Sequence, residues 1–230
     1  MIVRMVMCLG LLTCSLPQTV VACAPDETCS PGESAFTESK PFAHMALSGW
    51  IRATVIIQGD EGSQYEIGAG VIIQEDSVSL TIVTAYHVAS HQNLRVMTSD
   101  SEVLDVYGVT QIAGVDIALV RTPRPRGWVR VASIATPGPT GSAIAVVGFK
   151  PSIFWSQSSG SVVAVTLPPS GAGEFAFVCD CGSGDSGAGV WNASGQLTGI
   201  LTGHYTSIDG SSIVFVAEPM SVLRQGRPEN

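Results

Sequence analysis

Basic side chains are scarce in this chain. Eleven Lys and Arg stand against 19 Asp and Glu, a formal net charge of −8. That balance gives no general footing on a polyanion, so proteins or peptides rather than nucleic acid are the expected partners. Only 13% of residues are charged while 45% are hydrophobic, which excludes a disordered, solvating chain and calls for a well-buried core. Helical periodicity is nearly missing. Strand-like runs bounded by Gly, Pro, Asp and Ser fill the chain instead, so the architecture should be all-β. Metal-ligand spacing is missing too: His87 and His91 stand four apart without the glutamate of a zinc-protease motif, and Cys179-Asp180-Cys181 has no second pair at ligand spacing. Neither a metal nor another cofactor is expected.

The apolar run at residues 5–12 is too short to cross a bilayer. With Arg4 before it and small residues around Ala22 and Ala24, it reads as an export signal over residues 1–22, removed in the mature protein. Val20-Val21-Ala22-Cys23 also fits a lipobox, in which Cys23 would be diacylated and would attach the protein to a membrane. Residues 23–45, rich in Ser, Pro, Glu and Asp, would then be a flexible tether. The expected location is secreted or in the cell envelope. Cys8 and Cys14 leave with the signal, so Cys23, Cys29, Cys179 and Cys181 remain. Four cysteines allow three pairings, a bond across Cys-Asp-Cys would be strained, and the connectivity stays open.

The most informative stretch is Cys181-Gly182-Ser183-Gly184-Asp185-Ser186-Gly187-Ala188-Gly189. A serine hydroxyl is a weak nucleophile at neutral pH and needs a base, a group that orients the base, and donors for the oxyanion. Thr84-Ala85-Tyr86-His87 supplies a histidine at the end of an apolar run, and Asp116-Ile117-Ala118-Leu119-Val120 an aspartate opening another. Asp100 and Asp105 are the competing acids. An aspartate leading directly into Ile-Ala-Leu-Val should be drawn into the interior, where it needs a partner such as an imidazole N–H. Glycine at 184 can turn successive amides toward one point, which a Cβ would hinder.

These three stretches resemble the triad motifs of the chymotrypsin/trypsin-like serine proteases, where Thr-Ala-x-His, Asp-Ile-Ala-Leu and Gly-Asp-Ser-Gly occur in that order. The resemblance implies Ser186 as nucleophile, His87 as general base and then acid, Asp116 as the residue fixing the imidazole, and the Gly184 and Ser186 amides as the oxyanion hole. It also implies two six-stranded antiparallel β-barrels and a short C-terminal helix near 220–224. Strands are expected at 50–57, 66–73, 79–84, 94–98, 102–112 and 117–121, and at 143–149, 161–167, 174–178, 188–191, 197–202 and 213–218. The peptidase domain would span 46–230, with barrel 1 over about 46–122 and barrel 2 over about 129–218. The connector, 122–129, carries Arg124 and Arg126 among prolines and reads as a stiff linker.

The resemblance is looser elsewhere. No activation cleavage site of the Ile-Val-Gly-Gly type is present, so Asp185 must find a partner other than a new N-terminal ammonium, and activity without proteolytic activation is expected. Asp180 lies six residues before Ser186, the spacing at which trypsin-like members place the acid that selects Arg or Lys. His204 competes as a selector of Glu or Gln, with a bare surface histidine as its plain reading. Thr202 and Gly203 should pair with the substrate backbone as an added strand. The expected function is a secreted, monomeric serine endopeptidase. The alternatives are a catalytically silent protease-fold binding protein and a triad protease cutting after Glu, Gln or small residues.

Overall fold

The computed structural model describes residues 44–61, 64–149, 155–165, 173–206 and 213–225. The expected export signal, the lipid site at Cys23, Cys29 and the tether up to residue 43 lie outside the described residues. The first element is a helix, α1 (His44–Ala53). It takes in residues 44 and 45, read from sequence as tether, and residues 50–53, read as the start of a strand. The apolar pair behind that strand reading, Trp50 and Ala53, is one helical turn apart and buries on one face.

Seven strands follow: β1 (Thr54–Glu61), β2 (Gln64–Glu75), β3 (Ser79–Ala85), β4 (Gln92–Met97), β5 (Val103–Asp105), β6 (Gly108–Gln111) and β7 (Ile117–Pro123). A four-residue helix, α2 (Tyr86–Ala89), sits between β3 and β4. The strands form one antiparallel sheet in the order β5-β4-β1-β2-β3-β7-β6. Six strands were expected, and the seventh arises by division. The run at 102–112 bends at Val106–Tyr107, so that β5 pairs with β4 while β6 pairs with β7. The two edges of the sheet are therefore successive pieces of chain, which curls it toward a barrel.

The second set is β8 (Ala143–Gly148), β9 (Ser156–Ala164), β10 (Phe175–Cys179), β11 (Gly189–Asn192), β12 (Leu197–Thr206) and β13 (Ile213–Pro219), closed as a barrel in the order β10-β13-β12-β11-β8-β9. A last short helix, α3 (Val222–Gln225), follows. The molecule is a double β-barrel of the chymotrypsin type.

Strand alternation explains how two barrels share one molecule. On β3 every residue is buried, because Leu80 and Ile82 fill the first barrel while Val83 faces outward into the seam between the barrels. Phe175, Phe177, Val190, Leu201 and Phe215 fill the second barrel. The seam joins Val71, Val83 and Ile117 from the first to Val147, Trp191, Ile200 and Met220 from the second. The connector is pinned along it: Ala132 N–H donates to the Ile72 carbonyl at 2.9 Å, and the Ser133 carbonyl accepts from Leu197 at 2.8 Å. Arg124 pairs with Glu75 at 2.6 Å.

Trp50 caps this seam, stacked on Trp191 with ring centroids 5.9 Å apart. Truncating a fully buried tryptophan removes its transfer free energy and leaves a cavity. Trp50→Ala is therefore expected to destabilise the protein by about 3–5 kcal/mol in urea unfolding. A loss below about 1 kcal/mol would show that α1 is not part of the cooperative fold.

Candidate active site

The end of β3 and the start of β7 lie side by side, Ala85 opposite Ile117, so the residues just beyond them meet. Tyr86 N–H donates to the Asp116 carbonyl at 3.1 Å. The His87 amide donates to Asp116 Oδ1 at 2.9 Å, and His87 Nδ1 lies 2.6 Å from Asp116 Oδ2. An ionised carboxylate only accepts, so Nδ1 carries the proton and Nε2 presents its lone pair. The expectation of a buried Asp116 needs correction: its side chain is 35% exposed and that of His87 47%. Ile117 takes the interior position while Asp116, one residue earlier, stands at the cleft mouth.

Ser186 comes from the second barrel, in the turn between β10 and β11. Gly184 and Gly187 have φ of +92° and +81°, a region that glycine enters freely. Asp185, 1% exposed, accepts the Gly182 amide at 2.9 Å on Oδ2 and the Ser156 hydroxyl at 3.4 Å on Oδ1. This supplies the non-ammonium partners the sequence called for. The amides of Asp185, Gly187 and Ala188 donate to the carbonyls of Gly182, Leu201 and Asp185. Those of Gly184 and Ser186 have no protein acceptor among the described residues, which leaves two free donors beside the Ser186 hydroxyl.

His87 and Ser186 face one cleft of about 220 Å³, lined also by Glu66, Ile67, Val88, His91, Ser183 and Gly184. Their side chains share it without a direct hydrogen bond, a contact that tightens in many hydrolases only when substrate arrives. A larger cavity of about 750 Å³, walled by Asp60, Arg95, Asp105 and Tyr107, holds none of the three triad candidates and meets the cleft only at His91.

The expected specificity residues stand further off. Asp180, Thr202, Gly203 and His204 do not line the shared cleft. The Asp180 carbonyl accepts from Ser158 Oγ, and Cys179 and Cys181 flank it with Cα atoms 5.4 Å apart, a separation that a disulfide spans. His204, on the exposed part of β12, packs against Phe215 at 6.0 Å between centroids. Thr202 and Gly203 are half-buried. Strand β11 pairs with β12 only as far as Ile200, so from Thr202 onward β12 is bonded to β13 and its other edge is open.

A family model described as a trypsin-like peptidase domain matches residues 68–200, more than half of the chain and inclusive of His87, Asp116 and Ser186. The chain belongs to the trypsin-like peptidase family. No curated protein is similar enough to match. Among solved structures, the serine endoprotease from Yersinia pestis superposes with a TM-score of 0.64 at 19% identity over 78% of this chain and 63% of that one. The active form of the Rv3671c protease from M. tuberculosis gives 0.65 at 20% identity over 80% and 85%. The HtrA-type protease AlgW with tripeptide gives 0.66 at 17% identity over 78% and 60%. At these identities the likeness is one of fold, and this trypsin-like peptidase spans 63% and 60% of the Yersinia protein and of AlgW.

One acid went unnoticed in the sequence. Glu218 on β13 is only 4% exposed. Burial, and after it the nearby carboxylates of Glu174 and Asp116, raise its pKa from 4.5 to about 7, against a smaller lowering by the Asp116 backbone N–H. Its signal was an acid set in an otherwise apolar strand, Ile-Val-Phe-Val-Ala-Glu-Pro.

The folded chain thus keeps a proton between pH 4.5 and about 7 that the unfolded chain gives up. Stability should fall as pH rises through that window, by on the order of 3 kcal/mol, and level off above it. Glu218→Gln should abolish this slope in urea titrations at stepped pH. An unchanged slope would assign it to other groups.

Proposed function

We propose that this chain is an exported serine endopeptidase that cleaves protein or peptide substrates through an acyl-enzyme. The observation that carries the reading is the 2.6 Å contact of His87 Nδ1 with Asp116 Oδ2 behind a cleft shared by His87 and Ser186. Ser186 Oγ attacks the scissile carbonyl carbon and passes its proton to His87 Nε2. Asp116 stabilises the imidazolium, and the Gly184 and Ser186 amides receive the oxyanion. His87 then gives the proton to the leaving amine, and a water, activated in the same way, releases the acid. The open edge of β12 from Thr202 supports docking of an extended substrate as an added strand.

The spacing of Asp180 before Ser186 supports cleavage after Arg or Lys. His204, turned to Phe215, lends no support to cleavage after Glu or Gln. Export, by signal cleavage or with lipid on Cys23, rests on residues 1–24. In an oxidising compartment Cys179 and Cys181 form a disulfide that closes the loop around Asp180. Peptide mapping of exported protein without reductant should recover that loop lighter by the hydrogens lost on oxidation. Free thiols at both positions would place the chain in a reducing compartment.

A fluorophosphonate probe should label the protein at Ser186 and nowhere else, with labelling lost in Ser186→Ala at unchanged stability. Asp116→Asn should lower kcat by on the order of 10⁴, because the histidine then holds its proton on the wrong nitrogen. Absence of labelling in well-folded wild-type protein would favour the binding-only alternative.

A further inference from the structure

Two carboxyl groups are buried among the described residues, and only one is satisfied. Asp185 is held by the Gly182 amide and Ser156. Glu218 buries an oxygen, Oε2, that has no hydrogen-bond partner. A buried, unpartnered carboxyl oxygen is costly, and its retention asks for an explanation.

The position of Glu218 supplies one. Ala217 and Phe215 point into the second barrel, so Glu218, between Ala217 and Pro219, faces the other way. Its cross-strand neighbour is Ile200, a seam residue, and neighbours opposite each other share a face. The carboxyl therefore leaves the second barrel and enters the seam. There it meets the first barrel at the backbone N–H of Asp116, next to the seam residue Ile117.

We propose that Glu218 is a positioning residue for the His87–Asp116 pair, reaching across the seam to hold the Asp116 backbone from behind and to set, by its charge, how strongly the pair favours an imidazolium. This rests on the catalytic reading above. The charged groups acting on Glu218 are Glu174, just before β10, and Asp116, with His87 beyond it on α2; β12 presents the apolar Ile200. No cation is among them, so a proton is what relieves the crowding of negative charge. Ionised, Glu218 adds a second negative charge behind Asp116. That charge makes His87 more basic and stabilises the imidazolium that forms as Ser186 loses its proton. Protonated, it keeps its acceptor toward the Asp116 amide but withdraws that field. The device couples turnover to pH in the neutral range by a group that never touches substrate.

The test is kcat and KM of the full exported chain between about pH 5 and pH 9 for wild type, Glu218→Gln and Glu218→Ala, alongside NMR titration of the His87 imidazole. Glutamine keeps an acceptor for the Asp116 amide and cannot ionise. It should lower kcat about three- to tenfold at the alkaline end with KM unchanged, and move the acid limb of kcat/KM to lower pH. The wild-type limb should be steeper than one proton allows, and the Gln limb should return to one. Alanine, losing the acceptor as well, should lower kcat further than Gln. Superimposable pH profiles and imidazole titrations for wild type and Gln would overturn the proposal and leave Glu218 a packing residue. Should wild type neither label nor turn over, the catalytic reading fails, and the imidazole titration still decides whether Glu218 acts on His87.

Discussion

A single backbone hydrogen bond, from the Ala69 N–H to the Ser186 carbonyl at 2.7 Å, ties the nucleophile candidate on one barrel to the sheet that carries its base. No covalent link aligns the two halves of the site, so this contact and the apolar seam must do it. The approach is close enough to dictate side chains. A Cβ at Gly187 would collide with the Ala69 carbonyl oxygen and Thr84 Oγ1, and one at Gly68 would sit 2.8 Å from the Ser186 carbonyl oxygen. Thr84 in turn donates to the Ala69 carbonyl at 2.6 Å. The residues around the nucleophile and before the histidine are thus parts of one joint, which is why small residues recur there.

The same joint accounts for what could be read from the sequence. His87, Asp116 and Ser186 were legible because each sits at the end of a strand whose composition is local: an apolar run before His87, a β-branched run after Asp116, a glycine turn around Ser186. The second barrel's strands were legible for the same reason. Features set by partners distant in sequence were not. The helix at 44–53 hides in a pattern that also fits a strand, because its Trp50 and Ala53 serve a seam composed of both barrels. The division of 102–112 depends on pairing with β4 at one end and β7 at the other. Asp116 is more exposed than its apolar neighbours suggested, because the strand buries only from Ile117 onward.

The absence of an activation peptide also has a structural reading. In a turn whose aspartate is met by the Gly182 amide and Ser156, the two free donors at Gly184 and Ser186 are arranged without a new chain terminus. Room for that aspartate comes from Gly148 on β8, where a Cβ would overlap Asp185 Oδ1. The turn is therefore built from inside the second barrel, and its shape does not wait on proteolysis.

Two buried acids near one site then play opposite parts, and the difference lies in how each is satisfied. Asp185 is matched by donors and fixes a shape at any pH where it is ionised. Glu218 meets other carboxylates across the seam, and its charge is the one the surroundings resist. A satisfied carboxylate rigidifies its loop, whereas an unsatisfied one remains sensitive to proton concentration. Because Glu218 stands behind Asp116 rather than beside Ser186, that sensitivity reaches the base through the first barrel while the oxyanion donors, held by Asp185 in the second, stay unchanged. The seam between the barrels is thus the place where the strength of the base can be adjusted independently of the geometry of the nucleophile.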